Sequence, residues 1–334
     1  MAKHKKYDLL DIIVQSINDS GWNVLYVGDI SDHPFVLNIY KDGERYLLRI
    51  YIWEITPGGQ NRPLDEYRIQ ITSVRRFERN AGEKTLILGW WKKGEIFAGW
   101  DFNEYKNKIY RAKASDSAQI KEDNLRKALI NGFSPYRTKN DAIAVAFTGD
   151  FFVNYVQNLE ALHAFDESRR DFRVLEEISD QPLELNKALI EQASKKRQVV
   201  LYQLTKKLRD ASFKARVLTA YGNRCAFSGM QLKLVDAAHI LPVSYDKSTD
   251  DTSNGIALSA LYHRAFDRGL VTFNDKYQII VNDKKLSVLK EIGFDGGMDK
   301  FLKDLRPVIH VPPATSDRPH VDFVNQANKM RGWK

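Results

Sequence analysis

The residues whose types and spacing could do chemistry lie between Ala237 and Leu270: a histidine, an asparagine and a second histidine in short order. The stretch reads A-A-H-I-L-P, then a polar loop, then N-G-I-A-L-S-A-L-Y-H-R-A-F-D-R-G-L. His239 closes an apolar strand, and Asn254 is expected to open a helix that runs to Arg268. His263 and Asp267 sit one helical turn apart on it, so both side chains fall on one face. Hydrolysis of a phosphodiester with one metal ion needs such a set: an imidazole to activate water, a group to hold that imidazole, and a small metal-binding cluster beside it. An ordinary imidazole titrates near pH 6.5, so it can take a proton at neutral pH.

Each residue also has a plainer reading. His239 alone could be a core histidine, Asn254 a helix N-cap, and Asp267 the partner of Arg264 or Arg268. The order and the context of the three together favour the chemical reading. Cys225 reads as a buried strand residue with no zinc partner and no base beside it, and His310 and His320 read as structural residues of a Pro-rich tail.

Two kinds of sequence must position this segment. Residues 6–18 read as an amphipathic helix, with Leu9, Leu10, Ile13, Val14 and Ile17 at helical spacing and Gly21 as its stop. Six short β-branched and aromatic runs follow, from V-L-Y-V to I-F-A-G-W-D-F, separated by Gly, Asp and Asn turns. They predict a β-rich, barrel-like domain over residues 1–165, with flanking helices at 119–131 and 150–160. Residues 166–211 read as a charged helical linker, and 212–334 as a second domain with a hairpin at 272–282 and an extended Pro-rich wrap. The fold class expected is α+β.

The chain has 334 residues, 43% of them hydrophobic, enough for about two domains with real cores. A net charge of +8 and a pI near 9.2 favour a polyanionic partner. Between Lys195 and Arg224 stand nine Lys or Arg against one acid, Asp210. This is either a solvated helix face or a phosphate-backbone contact, with Lys206, Lys207 and Arg216 the chosen contacts. The lone Cys225 excludes an internal disulfide and a Cys-rich zinc knuckle, and suits a reducing cytoplasm. No apolar run is long enough to span a membrane, and M-A-K-H-K-K-Y-D is not expected to be a secretion signal.

The segment's wording (R-C-A-F-S-G, D-A-A-H-I-L-P, N-G-I-A-L-S, H-R-A-F-D-R-G-L) resembles the HNH endonuclease family, with its ββα-metal fold, in the branch found in restriction-type enzymes. The resemblance covers residues 212–285. It implies His239 as general base, Asn254 as the residue that bonds near that imidazole and orients it, and His263 as a metal ligand with Asp267 beside it. The implied ion is Mg²⁺ or Mn²⁺, and the implied substrate double-stranded DNA. The chain departs from the commonest pattern at Ala238, where an acid or His usually adds a ligand. Water is the expected filler, with Asp236 as the alternative.

The first domain resembles a domain found beside restriction and modification enzymes, in D-E-Y-R-I-Q-I-T followed by L-I-L-G-W. As a reader of sequence or of a modified base it would offer Gln60, Asn61, Arg62, Arg68 and Gln70, since Arg suits guanine edges and Asn or Gln suits adenine. Trp53, Trp90, Trp91 and Trp100 could stack on a flipped base, but read better as core. Two strands and one site per chain imply a homodimer. Two rivals stay open: a nuclease whose first domain senses a small molecule or protein, and a non-catalytic DNA-binding protein that keeps the scaffold.

Overall fold

Each apolar run read from the sequence becomes a strand, but the strands form open sheets. The computed structural model describes residues 6–59, 62–110, 116–138, 140–180, 187–232 and 234–333. The chain divides into two units, Met1–Ala211 and Ser212–Lys334.

In the first unit the strands are β1 Asn23–Tyr26, β2 Phe35–Lys41, β3 Glu44–Glu54, β4 Thr56–Pro57, β5 Glu66–Ile71, β6 Glu83–Trp91, β7 Ile96–Trp100, β8 Asp116–Lys121, β9 Phe133–Arg137 and β10 Ile143–Thr148. Its helices are α1 Lys6–Asp19, α2 Glu122–Asn131, α3 Phe152–Gln157, α4 Leu159–His163, α5 Arg169–Asp180, α6 Lys187–Glu191 and the start of α7, Lys195–Ala220. Seven strands pair in the order β1-β2-β3-β6-β7-β10-β9, and β4-β5-β8 form a second sheet. The expected barrel is therefore not closed: β1 and β9 end the large sheet, and β3 meets β6 in parallel, with the connection between them carrying β4 and β5.

The middle of the large sheet, β6, β7 and β10, is buried on both faces, which its near-continuous apolar strands require, while β1 at its edge is largely exposed. Ile50 and Ile52 of β3 face a core shared with α1, α3 and the 172–208 stretch. Tyr51 and Trp53 face the opposite core, shared with Ile69, Ile71, Ile120 and Leu125. The four tryptophans singled out above are all buried. Trp53 and Trp100 donate their indole N–H groups to the carbonyls of Thr72 and Gln119. The helix expected at 119–131 begins at Glu122, because residues 116–121 pair with β5.

The residues read as a linker lie within the first unit. Phe172, Leu175, Ile178, Leu201, Leu204 and Leu208 are core residues. Asp171 accepts from Ser194 and from the buried guanidinium of Arg197, at 3.1 Å from its Nε.

The second unit holds β11 Val235–His239, β12 Gly255–Ser259, α8 Ala260–Asp267, β13 Val271–Phe273, β14 Ile279–Val281, α9 Asp283–Glu291, α10 Met298–Lys303 and α11 Val321–Met330. It has its own core, which includes Phe213, Val217, Tyr221, Cys225, Ile256 and Phe266. Two expectations change here. Asn254 ends a short 3-10 turn and the helix starts only at Ala260, since Gly255–Ser259 pair with β11. Cys225 lies in a tight turn closed by Gly229 N–H on its carbonyl, and is fully buried there. The Pro-rich stretch does lie extended: Ile279 and Ile309 N–H donate to the carbonyls of Pro307 and Tyr277.

Candidate active site

β11 delivers His239 at its last residue, opposite Gly255 of β12, and β12 runs directly into α8. A strand, the 3-10 turn that leads into β12 and a helix thus carry the three named residues. The imidazole of His239 is clamped on two sides. The Phe213 ring lies parallel to it, with centroids 3.8 Å apart and planes 7° apart. The carboxylate of Asp250 stands 3.1 Å from Nε2. A carboxylate only accepts, so Nε2 carries the ring proton and Nδ1 is left with the free lone pair. Phe213 can approach so closely because the residue behind it has no side chain. A Cβ at Gly255 would strike Val217 Cγ2 and come within 3.1 Å of Phe213 Cζ.

Asn254 is fully buried but does not touch the imidazole. Its Oδ1 accepts from Leu241 N–H at 2.9 Å, and its Nδ2 donates to the carbonyls of Leu241 and Thr249 and to Ser248 Oγ. This fixes the amide's orientation, since the N–H needs an acceptor and the carbonyls need donors. Its own carbonyl accepts from Ile240 N–H. The Asn254 side chain thus ties together the loop that leads to Asp250. Asn254→Ala strands the buried Leu241 N–H and takes a donor from the Thr249 carbonyl, while the Leu241 carbonyl keeps the Ser248 hydroxyl. It should cost about 2–4 kcal/mol and lower the melting midpoint by about 5–15 °C for a unit of this size. Scanning calorimetry of the full chain would check this, and an unchanged midpoint would remove the role.

His263 and Asp267 meet on the exposed face of α8, with Nε2 3.6 Å from Oδ2. That spacing is one a single cation could bridge at ligand distances of about 2.0–2.2 Å. The donor set is a nitrogen and a carboxylate oxygen, a pair that a divalent cation accepts when water and substrate oxygens complete its shell. Among the described residues no cluster of three or more His, Cys, Asp or Glu is assembled for a metal. Ala238 packs into the core, and Asp236 is exposed and 3.7 Å from Lys214 Nζ.

Three residues of the site were not read from the sequence. Phe213 and Asp250 hold the imidazole. Arg331 bridges the two halves of the motif: it donates to the carbonyl of Ile240 at 2.9 Å and lies 4.3 Å over the Phe266 ring. Burial pulls the Arg331 guanidinium below its usual range, against the pull of Asp267. Phe213 and Arg331 lie far along the chain from His239, and Asp250 is one of several acids in the polar loop that follows it, so nothing local marks any of the three.

The expected DNA contacts are placed unevenly. Arg216 is half-buried, with burial lowering its pKa, and donates to the carbonyl of Asp250, so it braces the loop. Lys206 and Lys207 line a polar groove of the first unit with Tyr46 and Asn158. Arg62 is paired with Glu66 at 2.6 Å. Arg68 and Gln70 share one face of β5, Gln70 exposed and Arg68 half-buried. Gln60 and Asn61 lie outside the described residues. His310 donates its backbone N–H to the Ala226 carbonyl, and the His320 ring caps α11 by accepting from Asp322 N–H.

Residues 225–274 match the HNH endonuclease family model. The second unit carries an HNH endonuclease domain. The family match spans the turn at Cys225, His239, Asn254, His263 and the first strand of the following hairpin. In the first unit, residues 46–156 match the family described as methylase-associated X1, from β3 into α3. No curated protein matches the chain. A solved structure described as a modification dependent TagI restriction endonuclease is similar over 84% of this chain and 80% of its own. The identity is 10% and the TM-score 0.29, too loose an overlap to bear on function. Among the described residues no helix is long and apolar enough to cross a membrane.

Proposed function

We propose that the chain is a restriction-type endonuclease that hydrolyses double-stranded DNA at the HNH domain and is directed there by its first unit. The carrying observation is the clamped His239 inside the matched HNH segment. Phe213 and Asp250 together fix one rotamer and one tautomer, so Nδ1 is presented as a base. Taking a proton from water turns the ring into an imidazolium. The Asp250 carboxylate and the Phe213 face both stabilise that charge. His263 and Asp267 would hold the divalent ion, which supplies Lewis-acid stabilisation of charge on the scissile phosphate when bound. Arg331 and the basic run of α7 add fixed positive charge for the DNA backbone.

The restriction role is supported by the methylase-associated match of the first unit. A methylase-associated region in front of a nuclease domain joins recognition of methylation targets to cutting. Cleavage of both strands with one site per chain calls for a homodimer on DNA, in the reducing cytoplasm that a lone cysteine suits, leaving a 5′-phosphate and a 3′-hydroxyl. The test is digestion of one genomic DNA in unmodified, cytosine-methylated and hydroxymethylated forms with Mg²⁺ or Mn²⁺, followed by end sequencing. The expected result is metal-dependent cutting of at least one form, with recurrent ends. No cutting of any form would overturn the reading. If an isolated 1–211 fragment, the whole first unit, also bound no duplex, it would favour a first unit that senses a signal.

A further inference from the structure

The first unit contains a cavity of about 670 Å³ that the cutting chemistry does not use. That size lies in the range of small-molecule sites, roughly 300–1,000 Å³. It sits mostly within the methylase-associated region, where the chain leaves β5. Its floor is aromatic. Tyr51 and His33 line it, and Trp53 packs edge-on behind His33 with centroids 4.7 Å apart. The Tyr51 hydroxyl accepts from Glu78 N–H at 3.2 Å, and burial raises its pKa so that it stays protonated. The rim is basic: Arg75, Arg76, Lys106 and Lys108 are exposed around it, against one acid, Glu78. Arg76 and Lys108 have carboxylate neighbours only at 3.6 and 3.5 Å in open solvent, pairs weak enough to exchange for phosphates. Ser73 on the lip holds a left-handed backbone, φ 63°, the kind of local strain that clusters at ligand sites.

We propose that this cavity takes one nucleobase drawn out of a DNA duplex, with the rim cations on the phosphates either side of it. An aromatic floor receives any flat base, and a basic mouth around it suits a base still attached to its backbone. This rests on the DNA-cutting function proposed above, and names the chemistry by which the first unit would recognise its target.

The test uses the full chain and duplexes with one central cytosine, matched or mismatched, in unmodified, 5-methyl and 5-hydroxymethyl forms. A mismatched base costs least to extrude. The native chain should bind at least one mismatched duplex about tenfold or more tighter than its matched partner, as expected of base stacking. Asn107→Trp, at an exposed position on the cavity lip, should erase that preference and leave matched-duplex affinity within about twofold. Arg75→Ala with Lys108→Ala should weaken all duplexes alike and reduce the salt slope by about 2. The inference is overturned if the native chain cuts DNA but shows no mismatch preference, or if Asn107→Trp keeps the preference. It is also overturned if free deoxycytidine monophosphate binds the cavity while no duplex shows a preference. A native chain that neither binds nor cuts DNA overturns the functional reading as well.

Discussion

His239→Ala should abolish DNA cutting and leave DNA binding within about twofold of the native chain. The loss expected is about 10²–10⁴-fold in rate, the usual contribution of a placed general base. Binding is spared because the neutral imidazole adds no positive charge toward phosphate, while the cations of α7 are untouched. Folding is spared as well. The ring's contacts are one stacking partner and one carboxylate at the edge of the core, and His239 is not among the buried residues that build it. Single-turnover cleavage and a binding titration on the same duplex check both halves. Cleavage at the native rate would remove His239 as the base. In the native chain, cutting should also fade in acid, because a protonated imidazole has no lone pair to offer.

Asp250→Asn should be the next most damaging change at the site, about 10²-fold or more in rate. The amide fills the same space but can turn an N–H toward Nε2, which selects the opposite tautomer and moves the ring proton to Nδ1. It also withdraws the charge that stabilises the imidazolium. A merely structural role would not tell a carboxylate from its amide, so the decisive readout is rescue by the conservative variant. Asp250→Glu, which keeps the carboxylate, should recover part of the rate. An Asp250→Asn chain with native rate would show that the clamp does nothing for the chemistry.

How much of this was legible follows from what each feature depends on. The strands of the first unit were readable because each is a local apolar run, and Tyr51 and Trp53 against Ile50 and Ile52 show why both faces are apolar. Closure was not readable, since it depends on whether β1 finds β9, a long-range pairing with no local signature. I-A-L-S at 256–259 was taken into the helix because a short apolar run fits a buried strand and a helix equally well. The His239, Asn254, His263 and Asp267 set was legible as a motif. Asn254 nevertheless works on a loop rather than on the ring, and the ring's partner, Asp250, is one of several acids in a polar loop that spacing cannot tell apart.

The turn at Cys225 has a practical corollary. It holds the sole thiol of the whole chain, sealed in the interior of the HNH-bearing unit. A sulfhydryl reagent can reach it only when that unit opens, so labelling speed is a clock for the breathing of one half of the molecule, blind to events in the other. Any substitution or bound nucleic acid that steadies the cutting half would slow that clock, with no probe attached.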